Sequence, residues 1–334
     1  MPNTSIIVCG QKFDVGTRVI LWNENGGLNG YDTSKHVIKV NDRKSGKTTN
    51  IVVKGKRYSK RNWRKNPNLK QLQGIVTQFF MHHSGLYRAR DTFNVLHNQR
   101  RLSVHFILDD NGVIYQTLDL KEKSWHGGSN NPMSVGIEID SRAHASRFTD
   151  AYDEVHCKKY KVLPRRKRID YVQKRWTMGY EYNDKQYEAL IKLAIILKEV
   201  FPKMGDMLFP VKNNRIMKHV ISSPKKHCGL ICHYNNSSSK NDPIAFDHYR
   251  LQVGIALKNS KQRSTWLKID TWEDRQIWLK ALDYRPGIVD GIPGNRTIDA
   301  VREFQDDAGL LPDGIWGKKT EYMMDLITKE RRVR

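Results

Sequence analysis

The chain has 334 residues, which favours about two domains, and its 38% of apolar residues with eight tryptophans is enough to form hydrophobic cores. No apolar run reaches the ~18 residues of a membrane-spanning helix, and the first residues lack the basic start and long apolar core of a secretory signal. A net charge of +23 predicts an acidic partner, which can be nucleic acid, an anionic membrane or an anionic cell-wall polymer.

The first 70 residues are basic and predict a β-rich extension. Turns rich in Gly and Asn separate three short β-like runs, TRVILW, HVIKV and TTNIVVK. The segment then ends in a strongly basic stretch, KGKRYSKRNWRKNPNLK, which is typical of a solvated or polymer-binding arm. We therefore treat residues 1–70 as an N-terminal extension of the domain that follows.

Residues 71–258 mix strand and helix patterns. The candidate strands are GIVTQFFM, SVHFILD, GVIYQTL and SVGIEID, and the turn DDNG predicts a hairpin between the second and third. The segment NDKQYEALIKLAIILKEVF predicts a long helix capped by Asn183 or Asp184. Together these predict an α/β (or α+β) domain, with a mixed central sheet flanked by helices. A basic insertion at residues 157–175 predicts an exposed loop over or near a site.

The last part of the chain changes character. Residues 259–268, NSKQRSTWLK, are polar and predict a linker. In residues 269–334 the pattern D-G-I-x-G-x-x-T occurs twice, at 290–297 and 313–320, between helical patterns. A repeated turn of this kind indicates an internal duplication. Each Asp-Gly supplies a left-handed turn and each Thr caps the next helix, so we expect a small all-α domain of three helices.

Four cysteines do not make a dense disulfide framework. They are Cys9, Cys157, Cys228 and Cys232. The stretch HCGLICH, at residues 227–233, could form a second metal site with His156 and Cys157, but its spacing is not the two-residue gap of zinc ribbons. Reduced or paired cysteines in a surface insertion are the favoured interpretation.

Histidines and carboxylates at the ends of the predicted strands and in loops are candidates for a catalytic zinc, which takes three protein ligands and leaves one position for water. His82 and His83 follow an apolar run, and because strand side chains alternate, only one of them can point into a given site. Glu138 lies in the apolar strand SVGIEID, where an unpaired charge is costly and must be neutralised, paired or placed near a metal. The other candidates are His105, Trp125, His126, His219 and Asp242.

Five motifs occur in a characteristic order between about residues 74 and 250. They are HHS, SVHFILDDNGVIYQ, SWHGGSNNPMSVGIEID, a helix containing QYEAL, and a histidine followed by KNDPIAFD. In this order they resemble the zinc N-acetylmuramoyl-L-alanine amidases, the amidase-2 group related to peptidoglycan recognition proteins. The tail, with VDGIPGNRTIDAVREFQDDAGLLPDGIWGKKT, resembles the three-helix peptidoglycan-binding module of many cell-wall hydrolases.

The resemblance implies a Zn²⁺ cofactor and a set of site residues. His82, His219 and Asp242 correspond to the metal ligands, so His83 would face the other way. Glu138 corresponds to the general base that deprotonates the attacking water, and Lys240 to the group that stabilises the oxyanion.

Other positions of the family pattern refine this site. Some members carry a tyrosine where this chain has Val104, so the glutamate variant of the mechanism is expected. His105, Trp125 and His126 correspond to positions near the cleft, and we expect them to contact substrate or support the ligands.

One departure from the family pattern affects the ligand assignment. Family members usually have only about ten residues between the second histidine and the aspartate, whereas 22 residues separate His219 from Asp242. The insertion could reshape the cleft or form a lid, and it leaves His227 or His233 as alternative ligands. The apolar run containing KHVI favours His219, because the other two lie in a stretch that looks like a polar loop.

The expected function is hydrolysis of the amide between N-acetylmuramic acid and L-alanine in peptidoglycan. A lytic, endolysin-like enzyme is favoured, held in the host cytoplasm until release to the wall and periplasm, although a secreted effector amidase would look much the same. A non-catalytic recognition protein is disfavoured because all three ligands are present, and a nucleic-acid-binding protein because no known module is recognisable. Expected partners are peptidoglycan and anionic wall or outer-membrane polymers, with no nucleic acid, no membrane span and a monomeric state.

Overall fold

The computed structural model describes residues 2–41, 48–61, 67–212, 215–259 and 271–324. The chain divides into two compact units, one made of residues 1–210 and 216–246 and the other of residues 211–215 and 247–334. The predicted linker at 259–268 lies outside the described residues except for its first residue. Among the helices that the structure describes, none is long and apolar enough to cross a membrane.

The chain alternates short strands with helices. The strands are β1 (Ser5–Val8), β2 (Gln11–Asp14), β3 (Val19–Leu21), β4 (His36–Asn41), β5 (Thr48–Val53), β6 (Tyr58–Lys60), β7 (Gln78–His83), β8 (Phe106–Leu108), β9 (Ile114–Gln116), β10 (Glu122–Ser124), β11 (Ser134–Ile139), β12 (Lys167–Val172), β13 (Arg175–Tyr180), β14 (Val211–Lys212), β15 (Arg215–Ile216) and β16 (Gly229–Cys232). The α-helices are α1 (Leu69–Ile75), α2 (Ala89–Phe93), α3 (Glu154–Tyr160), α4 (Asp184–Val200), α5 (His233–Asn236), α6 (His248–Asn259), α7 (Trp272–Ala281) and α8 (Asn295–Asp307). Residues 318–324 are also helical.

A six-stranded mixed sheet forms the core of the first unit, in the order β16-β7-β11-β8-β9-β3. The four strands from β16 to β8 are parallel to their neighbours, while β8 and β9 are antiparallel around the predicted DDNG turn. Every residue of β11 and β16 is buried, as expected of parallel strands that are covered on both faces. The predicted α/β class with a mixed sheet and flanking helices is confirmed.

Several elements match the sequence patterns and two differ. Helix α4 begins after Asn183, whose side chain accepts a hydrogen bond from the backbone N–H of Gln186. The start of the run GIVTQFFM belongs instead to α1, because Asn68 and Gln71 form a capping box that begins a helix there. The insertion at 157–175 is not a plain loop, since it contains most of α3 and leads into the antiparallel hairpin β12–β13.

The described part of the first 61 residues contains six strands, two of which pair with strands later in the chain. Strand β3, from the run TRVILW, lies at the edge of the central sheet beside β9, and β6 pairs with β10. The runs HVIKV and TTNIVVK pair with each other as β4 and β5. This segment is grouped with the central sheet in one compact unit, and residues 62–66 of its basic end lie outside the described residues. The predicted solvated arm is wrong for Arg57 and Arg61, which are buried because their guanidinium groups donate to backbone carbonyl oxygens.

The four cysteines are free thiols. The stretch HCGLICH contains the buried strand β16 rather than a polar loop, because its central residues are apolar and pair with β7. None of the cysteines belongs to a group of metal-ligating side chains among the residues that the structure describes.

The second unit contains α7, α8 and the helical residues 318–324, packed around an apolar cluster that includes Leu279, Val301 and Phe304. A buried glutamine explains each copy of the repeated turn. The Gln276 side-chain oxygen accepts from the Gly291 N–H at 2.8 Å, and its amide donates to Thr297 Oγ1 at 3.1 Å. Gln305 makes the same two contacts in the second copy of the repeat.

In the second copy, Gln305 accepts from the Gly314 N–H at 2.8 Å and donates to Thr320 Oγ1 at 3.0 Å. Each Asp-Gly turn is therefore held to the preceding helix by one amide side chain. The repeat D-G-I-x-G-x-x-T therefore fixes the path between successive helices. The predicted cap at Thr297 is wrong, because Gly294 is the N-cap of α8 and the Thr297 hydroxyl, inside the helix, donates to the Pro286 carbonyl oxygen at 2.8 Å.

Replacing Gln276 by methionine should destabilise the second unit by about 2–4 kcal/mol, because it leaves buried backbone N–H groups without acceptors. Hydrogen-exchange mass spectrometry of the full chain should show faster exchange in peptides from residues 271–324 and unchanged exchange in β7. Glu303→Met, at an exposed position on α8, is the control. Unchanged protection in Gln276→Met would contradict the role given to the glutamine.

Candidate metal centre and catalytic cleft

Three neighbouring parallel strands bring polar side chains to one edge of the central sheet. The register pairs Glu138 of β11 with His82 of β7, and Cys232 of β16 with Met81 of β7. His233 directly follows Cys232 and therefore lies beside His82. The apolar residues of these strands are buried in the sheet, and the polar side chains follow where the apolar runs end.

The side chains of His82, His233 and Asp242 converge. The His82 Nδ1 atom lies 3.0 Å from His233 Nδ1 and 3.2 Å from Asp242 Oδ2, and His233 Nδ1 lies 2.9 Å from the same carboxylate oxygen. Each residue offers one ligand atom, and these atoms lie within 4.8 Å of one another. Two imidazole nitrogens and one carboxylate oxygen in this arrangement can hold a metal ion.

His219, which the sequence pattern favours as the second ligand, is not part of this group. The run RIMKHVI forms only the two-residue strand β15, and the backbone carbonyl of His219 accepts a hydrogen bond from Asn235 Nδ2 at 3.1 Å. His227 is also elsewhere, with Nε2 2.8 Å from the Leu230 carbonyl oxygen.

The spacing in the sequence could have identified His233. Eight residues lie between His233 and Asp242, against 22 between His219 and Asp242, and the shorter spacing is close to that of the family pattern. The physical reason for the correction is that GLIC, not KHVI, is the apolar strand paired with β7.

His83 occupies the other position of the histidine pair. Its Nδ1 atom accepts a hydrogen bond from the Ile244 N–H at 3.4 Å, and its ring packs edge-on against His144 with ring centroids 5.5 Å apart. His83 lies at the wall of the cleft without joining the three converging ligand atoms.

A chain of hydrogen bonds fixes the proton positions on His82. The Ser134 hydroxyl donates to the Asn130 carbonyl at 2.8 Å, so it accepts from His126 Nε2–H at 3.2 Å. His126 Nδ1 is then an acceptor and receives the Nε2–H of His82 at 3.0 Å. A neutral His82 therefore keeps an unprotonated Nδ1, which is the form that a metal ligand requires.

Gly136 makes room for this arrangement. A Cβ atom at that position would lie 2.6 Å from His126 Nε2, so any side chain would displace the imidazole. Gly136 therefore leaves the space in which the His126 ring lies next to His82.

The electrostatic environment favours the neutral form of His82 and His126 and the ionised form of Asp242. Burial, together with the neighbouring His233, lowers the pKa of His82 to about 4. Burial and the nearby His82 also hold the pKa of His126 well below its usual value. Burial alone would raise the pKa of Asp242, but the adjacent imidazoles of His233 and His82 outweigh it and hold that pKa well below its usual range.

Glu138 is a buried carboxyl group at the same cleft. Its side chain is 8% exposed, and Oε2 has no hydrogen-bond partner within the described part of the chain. Burial, then the charges of Asp242 and Asp140, raise its pKa well above the usual value. A carboxyl group whose pKa is raised in this way is suited to accept and return a proton.

The cleft itself has a volume of about 390 Å³. Its walls contain the three converging residues together with Glu138, Lys240, Trp125 and His126. His105 is not in the wall, because its Nδ1 accepts from the Gly136 N–H at 3.0 Å and its ring is fully buried. His105 therefore supports the pairing of the central strands, while Trp125 and His126 border the cleft.

Comparison with protein families explains this combination of fold and site. The N-acetylmuramoyl-L-alanine amidase family matches residues 72–244, slightly more than half of the chain, and a peptidoglycan-binding domain matches residues 270–324. No curated protein matches the chain. The chain belongs to the N-acetylmuramoyl-L-alanine amidase family.

Several solved structures are similar to this chain at low sequence identity. An AmpD protein, solved as a selenomethionine derivative, has 14% identity and a TM-score of 0.35 over 60% of this chain and 90% of that chain. The endolysin amidase LysCS of Clostridium intestinale has 13% identity and a TM-score of 0.33 over 55% and 86%, respectively. AmpDh3 of Pseudomonas aeruginosa has 14% identity and a TM-score of 0.36 over 77% and 92%.

The family match defines the activity and the polymer. The protein is a peptidoglycan amidase that hydrolyses the bond between N-acetylmuramic acid and L-alanine, and it carries a peptidoglycan-binding domain after the catalytic one.

Proposed function

We propose that the protein is a zinc-dependent lytic amidase of the endolysin type, with His82, His233 and Asp242 as the metal ligands. The observation that carries the metal assignment is the convergence of their three ligand atoms at 2.9–3.2 Å. This set replaces His219 of the sequence prediction by His233.

The side chains of His82, His233 and Asp242 have the chemistry that a bound cation requires. The hydrogen-bond chain through His126 leaves a lone pair on His82 Nδ1, and this lone pair faces the Asp242 carboxylate at 3.2 Å. Two acceptors facing each other repel unless a cation lies between them. Two histidines and one carboxylate are a known ligand set of catalytic zinc, which supplies a water of lowered pKa and polarises the scissile carbonyl when bound.

Glu138 and Lys240 would carry the proton transfer and charge stabilisation. Glu138 accepts a proton from the attacking water, whose oxygen forms a bond to the amide carbon. The oxyanion that develops on the carbonyl oxygen is stabilised by the Lys240 ammonium group. The carbon–nitrogen bond then breaks, and Glu138 returns its proton to the leaving amine of L-alanine.

The residues around this centre have distinct proposed roles. Trp125 borders the cleft and is held by a hydrogen bond from Nε1–H to Ser59 Oγ at 3.1 Å, so we assign it to substrate contact. His126 orients His82 through its hydrogen bond, and His105 supports the sheet.

Two features support the proposed lytic role, because both favour binding to the cell wall. One is the peptidoglycan-binding domain, and the other is the net charge of +23, which favours anionic wall or outer-membrane polymers. Residence in the host cytoplasm before release, and a monomeric state, remain predictions.

Digestion of purified peptidoglycan with the full chain tests the proposed function. We expect stem peptides with free L-alanine N-termini in the mass spectrum, loss of these products on treatment with a zinc chelator, and recovery when zinc is added back. Elemental analysis should find about one zinc ion per chain. Unchanged products after complete removal of metal would overturn the zinc assignment, and released disaccharides or cut stem peptides would overturn the amidase reaction.

Wall binding should weaken as salt is added, because the Debye length falls from about 10 Å at ~0.1 M to about 3 Å at ~1 M. We expect several-fold less full-chain protein to cosediment with purified cell walls across this range. Hydrolysis of a small soluble muramyl peptide serves as the control for loss of folding or activity. Salt-independent binding would show that the net charge of +23 does not drive wall association.

A further inference from the structure

A second cavity lies beside the catalytic cleft and is assigned to nothing in the reaction described above. It has a volume of about 810 Å³ and lies between the tip of the β12–β13 hairpin and residues 238–241. We call it the hairpin cavity. Lys240 lines both this cavity and the catalytic cleft, so the two are adjacent along one surface.

The hairpin tip is fixed to the segment that follows His233. Gln173 and Lys174 form its turn, both with left-handed backbone at φ 51° and 59°. The Gln173 side-chain amide lies 2.8 Å from the carbonyl oxygens of Ser237 and Lys240, and 3.0 Å from that of Tyr234. The Gln173 side chain therefore ties the hairpin tip, and with it the cavity, to the segment that carries the catalytic residues, and the Gln173 N–H adds a hydrogen bond to the Lys218 carbonyl oxygen at 2.8 Å.

The lining of the hairpin cavity is cationic. Lys174, Arg175 and Lys240 contribute side chains, and no acidic residue is among its described lining residues. The nearest carboxylate on the hairpin, Asp170, is buried and neutralised by Lys218, whose Nζ lies 2.8 Å from Asp170 Oδ1. The positive charge at the cavity is therefore left available for an anion.

Several of the remaining lining residues suit a peptide, and His219 is also in the lining. Ser238, Ser239 and Asn241 offer hydrogen-bonding groups, and Trp176 at the rim is 74% exposed. The Trp176 ring lies against Tyr171 with centroids 4.9 Å apart, which gives an aromatic surface next to the cations.

We propose that the hairpin cavity binds a carboxylate of the peptidoglycan stem peptide while the scissile amide occupies the catalytic cleft. The substrate continues on both sides of that amide, with a glycan on one side and a peptide on the other. The lactyl carboxyl group of the sugar is consumed in the amide bond, so the glycan at this point is uncharged. The stem peptide retains free carboxylates, and only it matches the charge of the cavity.

The test compares two soluble muramyl peptides that differ only in their stem carboxylates, free in one and amidated in the other. The variant is Lys174→Gln/Arg175→Gln in the full chain, which removes two exposed cations of the cavity. The matched control is Arg166→Gln/Lys167→Gln, which removes two exposed cations of the same insertion away from the cavity.

We expect the cavity variant to raise KM for the free-carboxylate substrate about five- to tenfold, which is the loss of about 1–1.4 kcal/mol from charge-assisted contacts. Its kcat should be nearly unchanged, and KM for the amidated substrate should match that of the wild type. Equal effects on both substrates, or an equal effect of the control variant, would overturn the proposal. A KM that depends on glycan length and not on the carboxylates would assign the cavity to the sugar chain instead.

The inference rests on the amidase activity, and the two can fail separately. Absence of cleavage of either substrate by the wild type would count against the proposed function. Cleavage of both substrates with the same KM by the wild type would leave the amidase intact and reject the carboxylate subsite.

Discussion

His233→Ala should abolish zinc binding and lower the amidase rate by more than the roughly 10–100-fold that removal of a ligand's supporting partner costs. The reason is that His233 Nδ1 is one of three converging ligand atoms, 2.9 Å from Asp242 Oδ2. His219→Ala removes the histidine that the sequence pattern favours as the ligand, so it is the matched control. We expect its zinc content to equal that of the wild type and its rate to fall by less than about tenfold.

The measurements are elemental analysis of the purified variants and release of stem peptides from purified peptidoglycan. Circular dichroism and hydrogen exchange in β16 show whether His233→Ala remains folded, since the imidazole is only partly buried. Zinc loss in His219→Ala with retention in His233→Ala would restore the original assignment and reject the geometry described above. Zinc retained in both variants would mean that His82 and Asp242 act with a different partner.

The sequence predicted the parts of the fold that local patterns control. Helix α4 and its cap at Asn183 follow from a local pattern, and so does the β8–β9 hairpin around its Asp-Asn-Gly turn. The duplicated turn was also visible, because it depends on residues close together in the chain. What the pattern did not show was why the turn repeats, since Gln276 lies 14 residues before Asp290.

The ligand assignment required information that local patterns do not contain. Strand β16 has only four residues, flanked by histidines and cysteines, so it looked like a polar loop. It becomes a buried strand because it pairs with β7, about 150 residues earlier, and that register places His233 beside His82. Long-range pairing therefore decided which histidine reached the site.

Two buried carboxylates lie close together in the sequence, and only one of them was identified as functional. Glu138 was predicted as functional because it interrupts an apolar strand. Asp140 follows two residues later, is also buried, and has a pKa raised by burial and by Asp109. The structure separates them, because Glu138 lines the cleft and Asp140 does not.

Glu138→Gln should lower the rate of amide hydrolysis by about 10²–10⁴-fold with zinc content unchanged. The amide side chain keeps the size of the carboxyl group but cannot take a proton from water. The part of the pH–rate profile that depends on ionisation of this carboxyl group should be missing from the residual activity, because glutamine does not titrate. Single-turnover hydrolysis of a soluble muramyl peptide over a range of pH values provides this measurement.

Asp140→Asn is the matched control for Glu138→Gln, since it neutralises a second buried carboxyl group on the same side of β11 without changing the wall of the cleft. Its rate should stay within about threefold of the wild type, because Glu138 is retained as the proton acceptor. Removal of the Asp140 charge, which is one of the causes of the raised Glu138 pKa, should move the pH–rate profile to lower pH without abolishing activity. Loss of zinc together with activity in Glu138→Gln would make this residue a determinant of the metal site instead of the base.

A rate close to wild type in Glu138→Gln would require another group to accept the proton, and within the described wall of the cleft Asp242 is the other carboxylate. That carboxylate is already engaged by two imidazoles at 2.9 and 3.2 Å, so proton transfer through it would disturb the proposed metal ligands. The separation of roles between the two carboxylates, one held ionised by histidines and one left unpartnered with a raised pKa, is what this pair of variants measures.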